Sequence, residues 1–136
     1  MNDAYVVDTD IVSYLLRDDS RADAYRPYLA GSHLSVSIMT VAELDQWALT
    51  RGWGGRQRQQ LIDHLDLFTT ILVDRQMCHL WASVMVQARA SGRPIQVADA
   101  WVAATALRLG VPLITNNHGD YAGVTDLTLI RPLHQG

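Results

Sequence analysis

The sequence predicts an α/β protein: a mostly parallel sheet of short strands, covered by helices on both faces in a three-layer arrangement. Short β-prone runs alternate along the chain with segments whose apolar residues recur at helical spacing. A content of 49% hydrophobic and 18% charged residues over 136 positions also supplies one sizeable core, so residues 1–136 are expected to form a single domain. In such sheets ligands gather outside the carboxyl ends of the strands, so the residues directly after each strand matter most.

Tyr5-Val6-Val7 is the first β-prone run. It is followed by Asp8-Thr9-Asp10, a cluster of N-cap formers, and then by Ile11, Val12, Leu15 and Leu16 at helical spacing. Residues 20–29 read as a second helix that ends near Gly31. Leu34-Ser35-Val36 makes a brief strand before a helix over Ile38–Thr50. The glycine-rich Arg51-Gly52-Trp53-Gly54-Gly55 reads as the most flexible loop, leading to a helix over residues 56–67 and a β-branched strand over 70–73. Two longer helices follow, Arg75–Ala90 and Val97–Leu109. Ser91-Gly92-Arg93-Pro94 separates them, and Gly110 closes the second as a C-cap. Residues 112–115 and 127–130 complete the strands, placing Asp8 and Asn116 at strand ends with Asp120 a turn further on.

The N-terminus carries no basic region, and no apolar run is long enough to cross a bilayer, so the expectation is a cytoplasmic protein without signal peptide or membrane span. Cys78 is the single cysteine, which excludes an internal disulfide; within an apolar helical pattern it reads as a buried structural thiol. A net charge of −3 argues against broad electrostatic adhesion to nucleic acid. All 11 basic residues are arginine, whose guanidinium groups suit bidentate phosphate contacts and base stacking.

Asp8, Glu43, Asp99 and Asp120 lie at the edges or inside of apolar segments, with no arginine within five positions of any of them. An anion drawn toward the interior has to be neutralised, hydrogen-bonded or paired with positive charge. Without a local cation, a divalent metal is the natural partner. Each acid also has a structural reading. Asp8 suits an N-cap, Thr40 to Glu43 matches a capping box, Asp99 suits a helix dipole, and Asp120 suits a turn. Yet Glu43 is the only glutamate, and Asp99 is the only charge between Val97 and Leu107. A parallel sheet would bring all four to one edge. Oxygen ligands without cysteine or a histidine pair favour Mg²⁺ or Mn²⁺ over Zn²⁺. His33, His64, His79, His118 and His134 show no metal-binding spacing, and His118 reads as a surface loop histidine.

Asp8-Thr9-Asp10-Ile11-Val12 after a hydrophobic strand resembles the first motif of haloacid-dehalogenase-type phosphatases. Those enzymes use a lysine to bind the phosphoryl group, and this chain has none. The ordered set of Val6-Val7-Asp8-Thr9-Asp10, Ser37-Ile38-Met39-Thr40-Val41-Ala42-Glu43-Leu44, Val97-Ala98-Asp99-Ala100-Trp101-Val102 and Leu113-Ile114-Thr115-Asn116-Asn117 with Asp120-Tyr121 resembles the PIN-domain ribonucleases. It is most similar to VapC-type toxins of type II toxin–antitoxin (VapBC) systems, and the resemblance spans nearly the whole chain.

That resemblance implies a PIN-like fold and a Mg²⁺-dependent endoribonuclease, with Mn²⁺ as an alternative ion. It implies Asp8, Glu43 and Asp99 as the core metal-binding catalytic acids and Asp120 as a fourth; Thr9 and Asn116 are expected to support them through hydrogen bonds. It also implies an RNA substrate such as tRNA or rRNA, a homodimer, and a VapB-type antitoxin whose C-terminal segment covers the site. Relatives often carry another acid where this chain has Asn116 and Asn117, so a second ion is expected to need the substrate phosphate. Arg51, Trp53, Arg56 and Arg58 combine cations with an aromatic beside the glycine-rich loop. They read first as a solvated helix start, and second as a contact platform for RNA or a protein partner. A catalytically inactive PIN-like binding module is the alternative from a different class; intact Asp8, Glu43 and Asp99 argue against it.

Overall fold

The structure is a computed structural model that describes residues 3–132. The chain runs β1 (Ala4–Val7), α1 (Thr9–Leu16), α2 (Arg26–Leu29), β2 (His33–Ser37), α3 (Ile38–Thr50), α4 (Gly55–Leu65), β3 (Thr69–Ile71), α5 (Arg75–Ala90), α6 (Val97–Leu109), β4 (Leu113–Ile114) and β5 (Leu129–Ile130). Short 3₁₀ turns cover Ser20–Ala22 and His118–Tyr121.

The five strands pair in parallel in the order β3-β2-β1-β4-β5. In register, Tyr5 lies beside Leu34 and Val6 beside Leu113. Strand alternation divides the core into two. Tyr5, Val7, Val36 and Ile114 pack with Ile11, Val12, Tyr25, Leu44 and Leu61, from the elements between β1 and β3. Val6 and Leu113 pack with Val84, Ala88, Ala100, Ala103 and Tyr121, from α5, α6 and the turn beyond β4. The result is three layers, and burial on both faces explains why β1 and β4 are apolar throughout. From β1 the chain builds outward to β2 and β3, then crosses back to add β4 and β5 on the other side. The order therefore reverses between β1 and β4, the place where open α/β sheets leave a ligand crevice.

Three helices, α3, α5 and α6, have the expected bounds. Residues 20–29 do not form one helix. Asp18 takes a left-handed φ of 53°, Asp19 caps the 3₁₀ turn, and Pro27 in the first turn of α2 has no N–H with which to continue a helix from upstream. The glycine-rich segment is a tight helix end: Gly52 adopts φ 65°, its N–H reaches Leu49 O, and Trp53 N–H returns to Ala48 O at 3.0 Å. Helix α4 ends at Leu65, short of the expected 67, and Phe68 turns into the core. Leu72 and Val73 lie beyond β3 and are exposed, while β4 and β5 keep two residues each. Cys78 is half-buried. No helix among the described residues is long and apolar enough to cross a membrane.

Candidate active site

Asp8 follows β1 directly, and its N–H extends the ladder to Ile114 O at 2.9 Å. It is both the N-cap of α1 and a buried carboxylate, 5% exposed. Oδ1 accepts the Thr9 N–H at 2.7 Å. Oδ2 accepts the hydroxyls of Thr115 and Tyr121, each at 2.8 Å. Burial pushes the Asp8 pKa up, the three donors pull it back, and the charge of Asp120 raises it again.

Asp10, in the first turn of α1, is not among the four acids that the sequence singles out as metal ligands, yet it sits in the same crevice. Its Oδ1 accepts the Ile11 N–H at 2.8 Å, and its Oδ2 accepts the Asn116 N–H from beyond β4 at 2.9 Å. Burial, and then the charge of Asp8, push its pKa up to about 7. Asn116 is steadied in turn by the Tyr25 hydroxyl, which donates to Oδ1 at 2.8 Å.

The capping-box reading of Glu43 fails. Ser37 is the N-cap of α3, its Oγ accepting the Met39 N–H at 3.0 Å, so Glu43 lies well inside the helix. Thr9 Oγ1 donates to Glu43 Oε1 at 2.9 Å. That commits the single Thr9 proton, so the Thr40 hydroxyl, 2.9 Å from Thr9 Oγ1, is the donor in their contact. Burial raises the Glu43 pKa; Thr9 lowers it and Asp8 raises it.

Asp99 stands in the first turn of α6, whose N-cap Gln96 makes no side-chain capping bond. Its pKa is pushed up to about 6 by burial first, then by the charges of Asp8, Asp120 and Glu43. The four expected acids thus share one electrostatic neighbourhood with Asp10. Asp8 lies at the bottom, and Asp120 is exposed on the rim. Among the described residues the ion pairs involve Asp18, Asp19, Asp23 and Asp74, and none of these five acids. No three histidine, cysteine or acidic side chains among the described residues are drawn close enough to enclose a metal as they stand. The donor chemistry nevertheless suits a hard cation, because the donors are carboxylate oxygens that repel one another and lack a local positive partner.

Thr9 meets Glu43 through its hydroxyl, and Asn116 meets Asp10 through its backbone. His118 is not a free loop side chain: its Nε2 bonds Ile130 O at 2.9 Å and ties the 3₁₀ turn to β5. His64 bonds Val12 O, and His134 lies outside the described residues. Of the expected contact platform, the Arg51 guanidinium lies 4.4 Å from the Trp47 ring centroid and Trp53 packs on the same ring at 5.2 Å. Arg56 and Arg58 stand exposed on α4.

Sequence reasoning missed Asp10, Thr115 and Tyr121. An Asp-x-Asp spacing directly after a strand was the available signal for Asp10; the two hydroxyls had none.

The molecule is thus a three-layer α/β/α protein with an acidic crevice at the switch point of its sheet. The PIN domain model matches residues 5–123, and the chain belongs to the PIN domain family. It is 33% identical over 132 residues to Ribonuclease VapC1 of Haemophilus influenzae strain R2866, covering 90% of this chain and 93% of that protein. Among solved structures it is similar to VapBC-1 from nontypeable Haemophilus influenzae, with TM-score 0.79, 26% identity and coverage of 93% of this chain and 96% of that one. VapBC2 from Rickettsia felis, bound to a promoter DNA fragment, shares the fold at TM-score 0.81 and 19% identity, over 93% of this chain and 97% of that one. These matches leave the phosphatase reading without support.

Proposed function

We propose that this chain is the toxin of a toxin–antitoxin pair, an endoribonuclease that hydrolyses RNA phosphodiester bonds at the acidic crevice with Mg²⁺, or with Mn²⁺ in its place. The observation that carries this reading is the convergence on Asp8 of Asp10, Glu43, Asp99 and Asp120 without a cationic partner among the described residues. The homology to VapC ribonucleases supports the choice of RNA.

Asp8, Glu43 and Asp99 would hold the cation, with Asp10 beside them and Asp120 at the entrance. A divalent cation there supplies a nucleophilic water at neutral pH and offsets the charge that builds on the phosphodiester. The chain's own residues set the geometry. Thr115 and Tyr121 occupy Asp8 Oδ2, which leaves Oδ1 with a lone pair for the crevice. Thr9 holds Glu43 against α1, and the Tyr25–Asn116–Asp10 chain fixes the loop after β4 over the site. A VapB-type antitoxin partner is supported by the VapBC complexes among the structural neighbours. A homodimer and a cytoplasmic location complete the reading, with tRNA or rRNA as substrate class.

The test is cleavage of structured RNAs by purified protein with Mg²⁺ or Mn²⁺, with and without EDTA, beside an Asp8→Asn variant. The expected result is cleavage that leaves 5′-phosphate ends and disappears in EDTA and in the variant. Cleavage that survives both would overturn the reading. An inert wild type that still binds the ion and a protein partner would favour the non-catalytic module.

A further inference from the structure

Helices α1 and α3 leave the carboxyl ends of adjacent parallel strands, so both begin at the acidic crevice and run away from it side by side. Each carries the same sequence of chemistry along one stripe. On α1, Asp10 is followed at i+4 by Tyr14 and at i+7 by Arg17; on α3, Glu43 is followed at i+4 by Trp47 and at i+8 by Arg51. The arginine positions lie about 11 Å along the helix axes from the acids. The two stripes meet. The Arg17 guanidinium lies 5.4 Å from the Trp47 ring centroid, Arg51 lies 4.4 Å from the same centroid, and Trp53 backs that ring at 5.2 Å.

The charges on this shelf differ in availability. Arg21 covers the Tyr14 ring at 4.2 Å but is held by Asp19, with its Nη2 2.7 Å from Oδ2. Arg17 touches Asp19 only at 4.0 Å, and Arg51 forms no ion pair among the described residues. Both guanidinium groups are thus held by an aromatic platform yet keep donors to offer, a pre-organisation that reduces the ordering cost of binding a phosphate.

We propose that the Arg17–Trp47–Arg51 shelf binds the backbone of the RNA strand on one side of the scissile phosphate. The shelf extends the nuclease reading above and presupposes it. An acidic crevice repels a polyanion, so adjacent fixed cations supply the attraction that brings the strand in, and charge complementarity favours a nucleic acid strand over a basic peptide. The aromatic rings hold the cations and offer stacking surface for a flanking base.

The test is binding of a labelled single-stranded RNA oligonucleotide, followed by fluorescence anisotropy in EDTA at several salt concentrations. Arg17→Gln with Arg51→Gln should weaken binding about tenfold or more and flatten the log–log salt dependence by about 1.4, the loss of two single-strand phosphate contacts. The Arg17→Lys, Arg51→Lys pair should restore the salt dependence but only part of the affinity. Arg89→Gln on α5 is the control and should bind as wild type does. If wild type cleaves RNA while the glutamine pair binds it with unchanged affinity and salt dependence, the shelf is overturned and the nuclease reading stands. If wild type neither binds nor cleaves RNA, the nuclease reading falls and the shelf with it. Loss of antitoxin binding with RNA binding intact would make this a protein-docking surface and also overturn the proposal.

Discussion

The phenolic hydroxyl of Tyr121 donates to Oδ2 of Asp8 at 2.8 Å, joining residues 113 positions apart across the switch point of the sheet. Tyr121 is 1% exposed, and burial followed by the negative charge of Asp8 pushes its pKa far up, so it remains a donor at any working pH. Tyr121→Phe removes a hydrogen bond to a buried charge and should cost about 1.5–3 kcal/mol. It should also raise the Asp8 pKa further and move the acid limb of the cleavage profile to higher pH. Urea unfolding and a pH–rate profile measure the two effects; a variant matching wild type in both would show that Thr115 and Thr9 suffice to hold Asp8.

Asp99 is ionised at pH 7.5 against burial and against the charges of Asp8, Asp120 and Glu43, which push its pKa up to about 6. Asp99→Asn should therefore raise the melting temperature of the metal-free protein by a few degrees while abolishing RNA cleavage. The gain should shrink as the pH falls toward 4, where the wild-type carboxyl is already protonated. A marked fall in melting temperature would assign Asp99 a structural role at the start of α6.

The pH dependence of stability follows from the same groups. Asp10 and Asp99 have folded-state values of about 7 and about 6 against 3.8 for the free side chain, so the native state binds more protons than the unfolded chain in that window. Metal-free stability should fall as pH rises from about 4 to about 7 and then level off. Half-buried His64 acts in the opposite sense, since burial lowers its pKa below 6.5, but it stands alone against Asp10 and Asp99, with Asp8 and Glu43 shifted the same way as those two. Mg²⁺ or Mn²⁺ should raise the melting temperature more at pH 7.5 than at pH 5. A metal-free melting temperature that climbs between those values would contradict the shared site.

Asp99 was legible because a lone charge in an apolar helical stretch has few structural uses, and Glu43 because it is the only glutamate and follows Val41 and Ala42 directly before Leu44. Asp10 was not, because all three residues of Asp8-Thr9-Asp10 have capping chemistry. What distinguishes Asp10 is an acceptor bond to the Asn116 N–H, 106 positions away. The capping box that the Thr40 to Glu43 spacing offered does not form for a local reason: Ser37 lies three residues earlier and caps α3 first. Helix α6 ended where expected because Gly110 adopts φ 67°, a stop encoded in one residue. The break within residues 20–29 depended on Pro27 and on the left-handed Asp18, whose conformation no periodicity reveals.

Two glycines flanking Tyr121 separate packing from local conformation. A Cβ at Gly123 would lie 2.9 Å from Ala88 Cα near the end of α5 and closer still to the carbonyl oxygen of Arg93 just beyond that helix, both backbone atoms that have little freedom to yield. Gly123→Ala should therefore destabilise by roughly 1–3 kcal/mol or more. By shifting the segment that carries Tyr121, it should also weaken the Asp8 anchor and reduce the metal-induced rise in melting temperature. Gly119 lies in the same turn, but a Cβ there meets nothing within 4 Å and its φ is not in the left-handed region. Gly119→Ala should be neutral or stabilising by about 0.4–1 kcal/mol through the unfolded chain. Thermal unfolding of the two variants with and without Mn²⁺ makes the comparison, and equal losses at both positions would mean that the turn's backbone, and not its contact with α5, sets the position of Tyr121.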